Sequence, residues 1–221
     1  MIFRTVIFLF AVMFTVPEII GQRRRDNFNP LPQRTVETDR EALRLMRNGK
    51  LDLVLSGSMR DNDVDMWIHV TRAGDPDPLE YEFGSTSGYL IFTDVGDRIE
   101  KAVFAGYFGG EGGIEDIDVT ASTELRRAIT GYDYGKQDFS VYKEITNYVS
   151  IHNPKTIAVN YSDWISVADG ISHTQFEKLK RILGPKYAKR IVSAEDVITE
   201  FRSRRVLREI VVQTNTLEIA R

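Results

Sequence analysis

Short segments rich in β-branched and aromatic residues alternate along the chain with segments whose apolar residues recur at helical spacing. The former predict strands, because such side chains fit a pleated, half-buried surface. They lie at Met66–Thr71, 88–93, 101–105, 156–160 and 191–192. Residues 94–97 contain two aspartates and a glycine, and they predict a hairpin between the second and third strands.

Two capping boxes predict where helices begin. Thr38 with Glu41, and Ser172 with Gln175, have the spacing at which the two side chains satisfy amides of the first helical turn. We expect the first of these helices to stop at Gly49.

Other signals predict where the Ser172 helix ends and where the remaining helices lie. Gly184 followed by Pro185 predicts the end of the helix that Ser172 begins, and Ser193 predicts a third cap. Further helical patterns occupy residues 123–130, 139–149 and 207–221.

Residues 51–62 fit two interpretations. Leu51, Leu53 and Leu55 alternate as in a strand, whereas Leu51, Val54 or Leu55, Met59 and Asn62 form a helical stripe. Periodicity alone does not separate the two.

Strands that alternate with helices are typical of an α/β fold. We therefore expect residues 35–204 to form a three-layer α/β sandwich, with helices on both faces of a mixed β-sheet. Residues 23–34 hold two prolines and two asparagines and predict an extended leader.

The first residues have the pattern of an export signal. Arg4 precedes a short apolar run at residues 5–16, and Pro17 and Gly21 follow it. The run is shorter than the roughly 20 residues that span a bilayer. We expect residues 1–22 to be a signal peptide of a periplasmic or secreted protein, with no integral membrane span.

Charge and cysteine content exclude several classes of function. The 29 Lys and Arg against 32 Asp and Glu give a net charge of −3, which disfavours a nucleic-acid partner. The chain has no cysteine, which removes disulfides, thiolate metal sites and cysteine nucleophiles.

Three motifs fall short of known sites. Residues 61–65 begin like a calcium loop, but Met66 and Arg72 stand where the turn glycine and the bidentate glutamate belong, so we expect a turn. The glycines of 106–113 lie among acidic residues and predict a surface loop rather than a phosphate cradle. No histidine has metal-site spacing, and His69 is expected to pack in or beside the sheet.

The segment most typical of a site is 161–173, which leaves a predicted strand and enters a capped helix. Trp164, Asp169 and His173 are its candidate residues for substrate gating or for an interface. The alternative is that Asp163 and Asp169 only cap turns.

A series of segments resembles the amino-terminal domain of the creatinase, prolidase and aminopeptidase P metallopeptidases. The segments are 62–69 (NDVDMWIH), 158–162 (AVNYS), 168–173 (ADGISH), 183–185 (LGP) and 192–195 (VSAE), and the likeness runs in order over about residues 38–221. It implies a helix before the DMWI segment.

The resemblance also implies a function for the longer proteins. In that family a second domain holds a pair of divalent metals, commonly manganese, which activate water to cleave peptide bonds, often beside proline. Residues 205–221 resemble the linker and first helix of that domain. No catalytic or metal-binding residue can be assigned within this chain, and we expect it to be inactive by itself.

The first hypothesis is therefore a non-catalytic amino-terminal domain of an exported Xaa-Pro-type metallopeptidase, whose partners are the catalytic domain and, through subunit contacts, further copies. The second is a free-standing exported binding domain derived from that family. A third is an independent enzyme with a site in the turn from Trp164 to His173.

Overall fold

A computed structural model describes residues 36–72, 77–84, 86–108, 113–130 and 139–219, and within these ranges six strands form one mixed sheet. The predicted signal peptide and leader lie outside the described residues. The strands are β1 (Met66–Thr71), β2 (Thr86–Asp94), β3 (Ile99–Phe108), β4 (Val119–Thr120), β5 (Ile157–Val159) and β6 (Ile191–Ser193). Their order across the sheet is β4-β3-β2-β1-β5-β6.

Only β2 runs against the other described strands. It pairs antiparallel with β1 and β3, whereas β1 with β5, β5 with β6, and β3 with β4 are parallel pairs. The predicted hairpin between β2 and β3 is confirmed. The carboxyl ends of β1, β5 and β6 consequently meet at one edge of the sheet.

The described helices cover both faces of the sheet. They are α1 (Val36–Leu53), α2 (Leu55–Arg60), α3 (Glu80–Phe83), α4 (Thr123–Ile129), α5 (Lys143–His152), α6 (His173–Ala188), α7 (Glu195–Ser203) and α8 (Leu207–Ile219). Buried side chains of α1, α2, α3 and α7 pack on one face, and those of α4, α5 and α6 on the other. The expected α/β architecture is thus observed.

The central strand β1 separates two hydrophobic cores. Trp67 points into one core and contacts the rings of Phe83, Phe92 and Phe201, with centroids 5.3, 5.5 and 6.0 Å away. Its neighbour Met66 points into the other core. All six side chains of β1 are buried, as expected for a strand covered on both faces.

The predicted stop at Gly49 is wrong. Helix α1 continues through it to Leu53, and it already includes Thr38, which is therefore not the residue that precedes the helix. Leu51, Val54 and Met59 all pack in one core, and this burial outweighs the roughly 1 kcal/mol that glycine costs inside a helix. The ambiguous segment 51–62 is helical for the same reason.

The second capping box is confirmed. The Ser172 hydroxyl accepts the amide of Gln175 at 3.2 Å, and the Gln175 side-chain carbonyl accepts the amide of Ser172 at 3.3 Å. The helix breaks at Gly184, whose φ of 71° is left-handed, and Pro185 begins a last turn that ends at Ala188.

The predicted cap at Ser193 needs a correction. Ser193 ends β6, and Ala194 is the residue before α7, which makes no side-chain cap. The Ser193 hydroxyl still accepts the amide of Glu195 at 3.1 Å, so it satisfies one amide of the first turn from one position further back.

The predicted helices at 123–130 and 207–221 correspond to α4 and α8. The predicted helix at 139–149 corresponds to a 3-10 turn (Phe139–Tyr142) that leads into α5.

No described helix combines the length and apolar content needed to cross a membrane.

Replacement of Gly49 by alanine should stabilise the protein by about 0.5–1 kcal/mol, because alanine restricts the unfolded chain and favours helix. A Cβ at this position meets no atom within 4 Å. Urea denaturation measures the change. As a contrast, Gly88→Ala should destabilise, since Gly88 has φ of 142° and its Cβ would lie 2.4 Å from the Phe104 carbonyl oxygen. Destabilisation by Gly49→Ala would contradict the continuous helix.

Candidate functional site

The segment predicted to carry a site leaves the sheet at the carboxyl edge of β1, β5 and β6. Asn160 follows β5 directly, and His69 and Thr71 lie at the end of β1 beside it. Glu195 follows β6. Carboxyl ends of parallel strands are where α/β sheets commonly place ligand contacts, because the connecting loops converge there.

Asn160 joins three parts of this edge. Its side chain is fully buried and pairs with the backbone of Val70, donating to the carbonyl and accepting from the amide, both at 2.9 Å. Its own carbonyl accepts the amides of Gly170 at 3.1 Å and Ile171 at 3.0 Å. One asparagine therefore extends the β1–β5 pairing by a residue and holds the loop after β5 against the sheet.

Position 170 requires glycine, because the loop after β5 lies close to the side chains of Asp77 and Asn160 there. A Cβ there would lie 2.8 Å from Asp77 Oδ2 and 2.9 Å from Asn160 Nδ2. The glycine of the predicted turn thus serves packing between the loop and buried polar groups.

His69 is fully buried, and its Nε2 lies 2.8 Å from Asp77 Oδ1. The ring packs against Phe83 with centroids 4.9 Å apart, and Nδ1 has no hydrogen-bond partner among the described residues. Asp77 Oδ1 also accepts the amide of Leu79 at 2.8 Å, at the start of α3. The pair attaches α3 to β1. Without an exposed atom, the imidazole offers no contact surface to a substrate, which agrees with the expected packing role.

Burial raises the pKa of Asp77, but the charge of His69 and the hydrogen bonds from His69 and Leu79 lower it by more. The net result is a pKa below the ordinary value. The carboxyl group therefore stays ionised at neutral pH and supports the buried ring.

Trp164 is 68% exposed and lies in the turn after β5. The Ser162 hydroxyl accepts the amides of Trp164 at 3.3 Å and Ile165 at 3.1 Å, and it donates to the carboxylate of Glu195 at 2.6 Å. The hydrogen bond from Ser162 is the largest cause of the lowered pKa of Glu195; Trp164 and Ser193 lower it further, and desolvation opposes them. Trp164 is thus an exposed aromatic surface whose backbone is held by Ser162.

The structure does not combine the three predicted residues into one site. Asp169 is exposed and accepts the amide of Ser162 at 3.4 Å, the turn-capping role that was the alternative. His173 is exposed at the first turn of α6. No hydrogen bond or ring contact joins Trp164, Asp169 and His173 within the part of the chain that the structure describes.

The other motifs behave as turns and strands. Residues 61–63 form the predicted turn after α2, with Asp63 left-handed at φ 54°. The predicted loop at 106–113 begins later than expected, because Gly106 still belongs to β3, whose pairing with β2 extends to Phe108. Residues 109–112 lie outside the described chain. Within the described ranges, no group of three or more His, Cys, Asp or Glu has an arrangement that could hold a metal ion.

Sequence reasoning missed the partner of His69. Asp77 lies between Pro76 and Pro78, a composition that predicts a turn and gives no sign of a partner for its carboxylate.

Comparison with known protein families, with curated proteins and with solved structures finds no match. The functional conclusion therefore rests on the geometry and on the resemblance of segments.

Asn160→Ala should lower the free energy of unfolding by about 2–5 kcal/mol, because it leaves the buried amide and carbonyl of Val70 without partners. Urea denaturation measures the loss. Asn147→Ala, on the exposed side of α5, is the matched control and should change stability by less than about 0.5 kcal/mol. Equal effects of the two substitutions would contradict the bridging role of Asn160.

Asp77→Asn should produce a stability deficit that depends on pH. The folded-state pKa lies below the reference value of 3.8, so ionised Asp77 stabilises the protein fully above about pH 4. That contribution is lost as the pH falls through the folded-state pKa. The difference between wild type and variant, followed by urea denaturation, should therefore shrink in acid. Asp163→Asn, at an exposed position, should show no such trend.

Proposed function

We propose that this chain is a non-catalytic amino-terminal domain of an exported Xaa-Pro-type metallopeptidase of the creatinase, prolidase and aminopeptidase P family. Peptide hydrolysis would then depend on a dinuclear metal site, with manganese the expected metal, in a catalytic domain outside the sequence given. The observation that carries the proposal is the exposed apolar stripe of α8.

The stripe consists of Leu207, Ile210, Val211 and Leu217, which are 76%, 48%, 48% and 72% exposed. Their spacing of three, four and seven residues places them on one side of the helix. Exposed apolar stripes of this kind mark surfaces that another protein unit covers.

The opposite side of α8 is attached to the domain. Glu209 forms an ion pair with Lys50 at 3.3 Å, and both side chains are largely buried. Glu209 also accepts the amide of Val206 at 2.9 Å, and Val206 packs in the core. The stripe therefore faces away from the sandwich, which suits a helix that leads into a neighbouring domain.

The position of the resembling segments supports the same proposal. Segment 62–69 enters β1, 158–162 contains the end of β5, and 192–195 contains the end of β6. Segment 168–173 is the loop that Asn160 holds. These segments are distant in sequence but adjacent in the fold, as expected if the likeness to the family reflects one inherited structural unit.

Within this proposal, the domain contributes to substrate gating and to contacts between subunits rather than to chemistry. Trp164 is the residue that we expect at such a contact, since it presents an aromatic face at the carboxyl edge. Residues 1–22 would direct export.

The second candidate is a free-standing exported interaction domain. Two buried cores, and a central strand β1 whose end is held by hydrogen bonds, favour it, because they allow the chain to fold by itself. In that case the stripe of α8 would be the binding surface.

The intact mass of the native product, purified from its source cells, separates the two candidates. We expect about twice the 25.3 kDa of this chain, since the catalytic domain of the family is the larger one. A product at or slightly below 25.3 kDa would reject the first candidate and favour the second.

The purified chain alone should leave Xaa-Pro peptides intact when manganese is supplied. The longer native product, assayed in parallel, is the positive control. Metal-dependent cleavage by the chain alone would contradict both candidates.

A further inference from the structure

A small pocket lies at the carboxyl end of β1, on the face covered by α4, α5 and α6, and away from Trp164. Its volume is about 120 Å³. It opens between the end of β1, the start of β2, the 3-10 turn before α5 and the first turns of α6. The polar side chains that line it include Thr71, Arg72, Ser87, Tyr89, Tyr142 and Lys178.

Among the described residues that line the pocket, two side chains are basic and none is acidic. Lys178 and Arg72 both border the pocket. The nearest acid on α6, Glu177, points elsewhere and pairs with Lys180 at 2.8 Å. Asp77 and Arg72 attract each other electrostatically, and Asp77 does not line the pocket. The pocket is therefore a positively charged recess in a protein of net negative charge.

Lys178 is held in place by Tyr142. Its ammonium group donates to the Tyr142 hydroxyl and lies 4.4 Å from the centre of the same ring. An ammonium group has three hydrogens, so this bond leaves two for other acceptors. Tyr142 accepts in this bond, and its own hydroxyl hydrogen stays available for donation.

Tyr89 supplies a further donor. It is buried beside Tyr142, with ring centroids 6.4 Å apart. Burial, and to a lesser extent Tyr142, raise the pKa of Tyr89, so the phenol keeps its proton at neutral pH. A protonated phenol in a recess that also contains an ammonium group is a donor suited to an anion.

The pocket wall contains a strand irregularity that requires glycine. The pairing of β2 with β3 shifts register between Ser87 and Gly88, and Gly88 adopts φ of 142°. Bulges of this kind redirect neighbouring side chains and are common beside functional sites. Both residues line the pocket.

We propose that this pocket binds a small oxyanion, as a phosphate or carboxylate group, with Lys178, Arg72 and the Tyr89 hydroxyl as donors. The volume is well below the roughly 300–1,000 Å³ of pockets for drug-sized ligands, so it suits a single charged group. The proposal does not depend on the peptidase assignment.

The test is a titration of the full ¹⁵N-labelled chain with inorganic phosphate and, in a second arm, with acetate, at neutral pH and constant ionic strength set by chloride. We expect saturable amide shifts confined to residues 70–72, 87–89, 142 and 175–178. Lys178→Gln should weaken the affinity at least about tenfold, as expected for loss of a charged hydrogen bond, and Tyr89→Phe about two- to tenfold.

Lys180→Gln is the matched control, since it removes the same charge from the same helix outside the pocket. It should change the affinity less than about twofold. If Lys178→Gln does not fold, Arg72→Gln and Tyr89→Phe carry the comparison.

Saturation by either anion, lost in the pocket variants, supports the proposal, and the arm that saturates assigns the group as phosphoryl or carboxyl. Absence of saturation through the millimolar range overturns it. Equal losses in Lys178→Gln and Lys180→Gln also overturn it, because they indicate general attraction to a charged surface.

Discussion

The burial of β1 on both faces is the constraint on which the rest of the structure depends. A strand with no exposed side chain brings its backbone and its polar residues out of water, so each polar group near its end needs a partner from another part of the chain. Asn160 supplies partners for the backbone of Val70, Gln175 donates to the Thr71 carbonyl at 3.2 Å, and Asp77 pairs with His69. These contacts come from three separate parts of the chain: the residue after β5, the first turn of α6 and the segment before α3.

The same bonds organise the carboxyl edge. Because Asn160 holds the loop after β5, Trp164 is presented at the surface while Gly170 lies against buried polar groups. The Ser172 capping box places Gln175 where it reaches β1, and the helix that follows brings Lys178 to the pocket. The loop face and the pocket thus share one framework, although they lie on different sides of the sheet.

Two surfaces of different chemistry result from this framework. The stripe of α8 is apolar, lies outside both cores and suits a protein unit. The pocket beside Lys178 is polar, positively charged and small, and it suits one anionic group. An arrangement with a docking surface and a separate small site is compatible with a module that supports another domain. It is equally compatible with a domain that binds by itself. The mass of the native product distinguishes these two candidates.

The sequence alone was sufficient to predict features that are determined by interactions between residues close together in the chain. It predicted the strands around Met66 and Leu90, the hairpin between β2 and β3, the Ser172 cap and the break at Gly184, because each depends on residues a few positions apart. Tertiary structure alone decided that α1 passes through Gly49, since the stabilising burial of Leu51 and Met59 comes from distant strands. It also decided which predicted site residues meet. Trp164, Asp169 and His173 lie in one segment, but no hydrogen bond or ring contact joins them within the described chain. In contrast, His69 meets Asp77, and Lys178 meets Tyr142, only because the sheet and α6 bring separate parts of the chain together.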